Sequence, residues 1–475
     1  MSQTAVAAEP TATASDAIAR HASELRFEQL DALTVEAARW RLLDVIGCAF
    51  GGTRASGSHA LVDVVRQESG RGDSTLAGQR GAKVPAGAAA LVNAILARSF
   101  DYEVMGVLIE GRLIPSHHAA TTAMTALALC EARGLGGREL LTAMVIGDDI
   151  AARTLAASGL DFAQGWDGAA TYTALGAAAT AGRLLGLSPL QMRNALGIVV
   201  EQIGGTIQAL WDGGTSFKLG QGTAGRNAVL AAQLAAGGWT AMRDPLLGRF
   251  AFFAQYTAGC IDPAILTRDL GRRFWAEAYF KPYPACMATH VCIEASMEAG
   301  AGLVFEPEAI ESVTVRLPAA SLANFCGKDF IPGDYPHADA IFSYRHMVAG
   351  VLLSGSIAQE HYEEERLRDP RLSAVAAKIR LEPLASAATG AEVKVDLRDG
   401  RRLSGRASAP SRSPLMTMAS AAEIEQKFMR QMAFSGVASD RLAAELRDLV
   451  LTLDTQGSVN RLCTLLAGDR AGHAP

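Results

Sequence analysis

The chain has 475 residues, 49% of them hydrophobic and 20% charged, with a net charge of −5. That length predicts two or three domains, and mild acidity without a basic tract gives nucleic acid nothing to bind to electrostatically. Apolar runs stop short of membrane-spanning length, since Ala169–Leu187 is cut by Arg183 and Asn227–Trp239 is too short.

The first residues, MSQTAVAAEPTATASDA, lack a basic stretch followed by an apolar one, so they read as a disordered tail over 1–16 rather than a secretory signal. Thr34 can cap a helix through VEAARWRLLDVIGCAF that closes at Gly51-Gly52. After a Gly-rich break at 70–87, an apolar helix-like run over Ala86–Phe100 ends in Asp101 and Glu103. A Gly-containing loop follows, and Pro115-Ser116-His117-His118 opens the next helix, Ala119–Arg133; Glu139–Ala157 is another. Three helices rich in Ala and Gly then succeed one another: Ala169–Leu185, Leu190–Ile203 and Ala224–Ala236. Small residues let helices approach closely, so these read as the centre of a bundle.

Character changes near 267. Ile310–Leu317 alternates like a strand, as does Lys378–Glu382, and Glu392–Leu397 and Arg402–Arg406 flank the hairpin signal Asp399-Gly400. Helices Thr289–Ala299 and Ala340–Leu353 lie among them. Beyond Ser411-Arg412-Ser413-Pro414 the pattern is helical again, over Ala421–Phe434, Ser439–Leu453 and Val459–Leu466. The expected fold is mainly α: an all-helical domain over 17–266, a smaller inserted α+β lid over 267–410, and a helical return over 411–475.

Seven cysteines (Cys48, Cys130, Cys260, Cys286, Cys292, Cys326 and Cys463) form no CxxC pair. Their odd number and irregular spacing point to reduced thiols and a cytoplasmic location, and give no metal-ligand pattern. Four groups can carry chemistry. Asp101, Glu103, His117 and His118 form the first. Asp167 follows Trp166 directly before a helix, where an acid is either a cap or a catalyst. The Gly-dense loop 213–222 presents Lys218 but lacks the order of a nucleotide-binding P-loop. In KPYPACMATH, prolines fix a loop carrying Lys281, Tyr283 and Cys286, with His290 in the first turn of a helix. Histidines, loop lysines and a carboxylate together suit acid–base work on an anionic substrate.

The order of these segments resembles the MmgE/PrpD family, which includes 2-methylcitrate dehydratase, cis-aconitate decarboxylase and iminodisuccinate epimerase. The resemblance runs through RWRLLDVIGCAFGG, SFDYE, SHHAATTAMTALALCE, GAAATAGRLLGLSPLQMRNALGI, TSFKLGQGTAGRNAVLAAQLA, KPYPACMATH, HADAIFSYRHMVAGVLLSG and SPLMTMASAAEIEQKF. It implies a cofactor-free homodimer with its site between helical domain and lid, acting by proton transfer beside a carboxylate of a di- or tricarboxylic acid. Dehydration of an acid such as 2-methylcitrate is the first expectation. Epimerisation, decarboxylation and non-catalytic carboxylate binding are the alternatives. The resemblance places Asp101, His117, Lys218 and His290 as catalytic residues and Lys281, Tyr283, Asp167, Cys286 and His346 as substrate contacts, with no metal. The chain departs from decarboxylase-like members at Asp167 and Cys286, where they carry histidines, and at His346, where the lid motif has tyrosine.

Overall fold

The computed structural model describes residues 12–70, 72–110, 112–114, 116–159, 164–275, 278–385, 390–408 and 419–470. Residues 1–11 of the expected tail and the boundary at 410/411 lie outside them. A helix, Ala14–Glu24, starts inside the stretch read as tail, fixed by a capping box between Thr13 and Asp16.

The architecture is mainly α. Helices Ala86–Arg98, His118–Arg133, Gly137–Ala157, Gly168–Leu185 and Leu219–Ala236 pack against one another as the centre of the molecule. Small residues set the spacing. A Cβ on Gly176 would lie 2.5 Å from the Gly147 carbonyl oxygen, and one on Gly222 would lie 2.5 Å from both Ile95 and the Leu91 carbonyl. Thr180 Oγ1 donates across the first of these crossings to the Ala143 carbonyl at 3.1 Å. Helix Ala32–Gly52 packs on Ala86–Arg98 and receives the C-terminal helix Ala421–Ser435 on another side. Its cap is Asp31 rather than Thr34, because the Asp31 carboxylate accepts from the Thr34 N–H at 2.8 Å.

Residues 310–407 contribute a four-stranded sheet in the order Ile379–Pro383, Ile310–Leu317, Ala391–Leu397, Arg402–Ala407. The first pair is parallel and the others antiparallel, the last joined at Asp399-Gly400. Helix His290–Gly300 covers the sheet so closely that a Cβ on Gly405 would meet the Ala295 carbonyl oxygen at 2.2 Å. The helix expected over 340–353 is two pieces, Pro336–Ile341 and Tyr344–Ser354, with Ser343 capping the second.

A further expectation is corrected. The stretch after Glu103, read as a loop, is a β-hairpin of Met105–Ile109 and Arg112–Ile114. A third strand, Ala278–Tyr279, pairs antiparallel with Met105–Ile109. That pairing carries residues 280–286 alongside residues 101–103, which lie far away in sequence.

Candidate active site

Three helix ends converge here. Ala86–Arg98 ends at Arg98, while His118–Arg133 and Gly168–Leu185 begin just after His117 and Asp167. A cation suits the negative end of one helix dipole, and the positive ends of the other two favour negative charge between them. The space they bound is a cavity of about 500 Å³. Its polar lining includes Arg98, Asp101, His117, Asp167, Tyr172 and Cys286, and Gly168 and Ala169 present the helix start beside Asp167.

Asp101 adopts φ +48°, a left-handed conformation that costs most side chains energy and that Asp tolerates better than most. Its Oδ1 is in an ion pair with Arg98 Nη1 and lies 2.6 Å from Lys281 Nζ. Lys281 also donates to the Asp101 carbonyl at 2.6 Å and the Ala285 carbonyl at 3.2 Å. An ammonium has three donors, so this lysine is fully committed inside the protein. Glu103 lies 3.6 Å from Arg98 Nη1 and accepts from Gln221 Nε2 at 3.2 Å. The same Gln221 amide donates to the His117 carbonyl at 2.9 Å.

His117 Nδ1 sits 2.8 Å from Glu103 Oε1 and 4.0 Å from Asp101 Oδ1. The carboxylate fixes the proton on Nδ1 and leaves Nε2 as the basic nitrogen. Burial, reinforced by the Arg98 guanidinium, drives His117 well below the ordinary histidine value. It is a neutral imidazole near pH 7. Burial pushes the Asp167 carboxyl the other way, above the usual range, although Arg98 opposes it. Burial also acts against the charge on Arg98, but Asp101 and Glu103 outweigh it and hold the guanidinium ionised. The cavity thus combines a neutral base, a carboxyl whose pKa burial raises and a fixed cation. Asp167 caps its helix as well, Oδ1 accepting from the Ala169 N–H at 2.9 Å.

Cys286 faces the cavity with its thiol hydrogen-bonded to Cys326, which lowers the Cys286 pKa. Asp101, Glu103 and His117 bring three potential ligand atoms within 4.8 Å of one another. A divalent ion there would have to displace Arg98 and Lys281 from Asp101 or share it with two cations.

The remaining sequence candidates do not line this cavity. Lys218 Nζ donates to the Ser56 carbonyl at 2.7 Å, and burial lowers its pKa to about 7. His290 is buried, with Nε2 3.2 Å from the Ala285 carbonyl and Nδ1 3.4 Å from the Tyr279 hydroxyl; burial and Lys281 lower its pKa to about 3. It braces the loop that carries Lys281 and Cys286. Tyr283 stacks edge-on against His290, ring centroids 5.4 Å apart, on the far side of that loop. His346 lies in a separate small cavity with His361 and Arg366, its ring 4.9 Å from that of Phe330. Sequence reading passed over Arg98 and Gln221. The i,i+3 spacing of Arg98 and Asp101 carried the first signal, whereas Gln221 had none beyond its Gly-dense loop.

The family model described as MmgE/PrpD N-terminal domain matches residues 16–261, and that of the MmgE/PrpD C-terminal domain matches 283–455. Cis-aconitate decarboxylase of Homo sapiens is 26% identical over 472 residues, covering 94% of this chain and 92% of that protein. Its Mus musculus counterpart is 26% identical over 388 residues, covering 77% and 76%. The Aspergillus terreus cis-aconitate decarboxylase is 26% identical over 488 residues, covering 94% and 95%.

Proposed function

The chain belongs to the MmgE/PrpD family, and from that premise we propose that it is a lyase that dehydrates a hydroxylated di- or tricarboxylic acid such as 2-methylcitrate. It works by proton transfer beside a carboxylate, without metal or cofactor. One observation carries this reading: a carboxylate-held neutral His117 and a buried carboxyl, Asp167, whose pKa burial raises, line the same cavity.

His117 Nε2 takes the proton from the carbon next to a substrate carboxylate. The charge that develops on that carboxylate falls to Arg98 and to the start of helix Gly168–Leu185. Asp167 gives its proton to the departing hydroxyl, so a C–H and a C–O bond break, a C=C bond forms and water leaves. Asp101 positions Arg98 and, through Lys281, the loop bearing Cys286. Residues 267–410 act as the lid over this site. Lys218, His290, Tyr283 and His346 support surrounding segments in this reading, as their contacts indicate.

Decarboxylation is the second reading, favoured by three relatives that bear that name. There a C–C bond breaks, CO2 leaves, and Asp167 supplies the proton to carbon. Incubating the protein with 2-methylcitrate, citrate, cis-aconitate and iminodisuccinate, with and without a chelator, separates the two. Rising alkene absorbance with 2-methylcitrate, unchanged by chelation, is expected. CO2 release from cis-aconitate would select the second reading, and α-carbon deuterium exchange without net product would select an epimerase.

A further inference from the structure

The part of the cavity away from the acid–base groups is mostly hydrocarbon; Asn324 also lines it, but its amide is engaged by the Tyr344 hydroxyl at 3.2 Å and the Cys326 N–H at 2.8 Å. Ile207, Leu210, Trp211, Phe325 and Phe342 line it. The aromatic rings form a continuous edge-to-face series. Trp211 meets Phe325 at 6.3 Å between centroids, Phe325 meets Phe342 at 5.6 Å, and Phe342 meets Phe217 at 5.1 Å. The Arg98 guanidinium lies 5.3 Å from the Phe217 ring, so the series ends at the cation of the polar cluster. It runs from buried to open: Phe342 is 1% exposed and Trp211 41% exposed.

Such a surface is a poor neighbour for a small polyanion. A carboxylate against it loses water without gaining a hydrogen bond, and the rings stay wet if the ligand is too short to reach them. A volume of about 500 Å³ lies within the range of pockets for ligands well beyond a few carboxylates. We propose that the substrate is a polycarboxylate bearing an unbranched alkyl chain longer than methyl, its acid groups at Arg98 and the Gly168 helix start and its chain along Phe342, Phe325 and Trp211. This rests on the polycarboxylate reading given above and extends it to substrate choice. Ala320 and Ala323, which also line the cavity, leave the chain room.

The test uses propane-1,2,3-tricarboxylate and its derivatives carrying alkyl chains of increasing length. These have neither a hydroxyl to eliminate nor a double bond, so calorimetry reads binding alone. Affinity is expected to rise roughly fourfold per methylene, the equivalent of about 0.8 kcal/mol. Trp211→Ala, at a position 41% exposed, should cut the gain for the longest chains, and Phe325→Ala should cut it for shorter ones too. Equal affinity across the series, or a gain untouched by both variants, overturns the alkyl-chain assignment and leaves the polycarboxylate reading standing. No binding by any member overturns both.

Discussion

A buried imidazole beside a guanidinium is a poor proton acceptor until something fixes its orientation and its second nitrogen. Glu103 does both for His117 at 2.8 Å, and Gln221 ties that carboxylate to the His117 carbonyl. Glu103→Gln should therefore lower kcat by about 10²-fold or more with little change in KM, read by steady-state kinetics. Equal loss in KM alone would mean that Glu103 serves binding. The pH profile follows from the directions of the two shifts. Because His117 is held well below 6.5, the acid limb of kcat/KM should fall well below pH 6.5. In the proposed reaction the alkaline limb belongs to Asp167, so Asp167→Asn should abolish that limb while lowering the plateau about 10²- to 10⁴-fold. That Asp101 and His117 lie against one cavity was legible because they fall in the short polar stretch between the end of one helix and the start of the next. Lys218 looked equivalent in sequence, but the 3-10 turn Thr215–Lys218 aims it at Ser56. No one-dimensional pattern encodes that direction.

Between residues and fold stands the segment 101–104, which must hold two carboxylates against their mutual repulsion. Its backbone is clamped from both ends of the chain. Asp44 in helix Ala32–Gly52 accepts from the Val104 N–H at 2.7 Å, and Lys427 in helix Ala421–Ser435 donates to the Tyr102 carbonyl at 2.6 Å. The two clamps pair with each other at 2.6 Å, both buried. Removing one partner of such a pair strands the other's charge, so Lys427→Met should cost about 3–5 kcal/mol in urea unfolding. Adding Asp44→Asn should recover part of that cost, whereas simple additivity would show that the pair contributes no coupling. The central helices were legible to within about five residues because their small and apolar residues mark close crossings, whereas Ala14–Glu24 and Ser58–Glu68 were not read. Gly176→Ala should accordingly cost about 1–3 kcal/mol, its Cβ falling 2.5 Å from the Gly147 carbonyl oxygen. The hairpin at Met105–Ile109 was not legible. Nor was its third strand, Ala278–Tyr279, which is two residues long and lies far along the chain, so local periodicity says nothing of that pairing.

Across the whole molecule, burial of histidine ties stability to pH. His290, His337 and His346 are buried with pKa values lowered to about 3, in each case chiefly by burial. Between pH 3 and 6.5 the unfolded chain binds a proton at each that the native state does not. Stability therefore rises with pH across that window and is lost as pH falls through it, by up to about 1.4 kcal/mol per pH unit per histidine. His346 isolates the effect. Neither ring nitrogen has a hydrogen-bond partner among the described residues, and the ring packs 4.9 Å from Phe330 and 5.8 Å from Tyr362. His346→Phe thus removes a titrating group without breaking a hydrogen bond. Urea unfolding of both proteins should show the difference variant minus wild type growing in the variant's favour by about 2 kcal/mol from pH 6.5 to pH 5. Carboxylates that titrate in the same range cancel in that difference, because both proteins share them. Parallel curves would mean that His346 keeps its proton in the folded state, and that a partner for its charge lies against the ring.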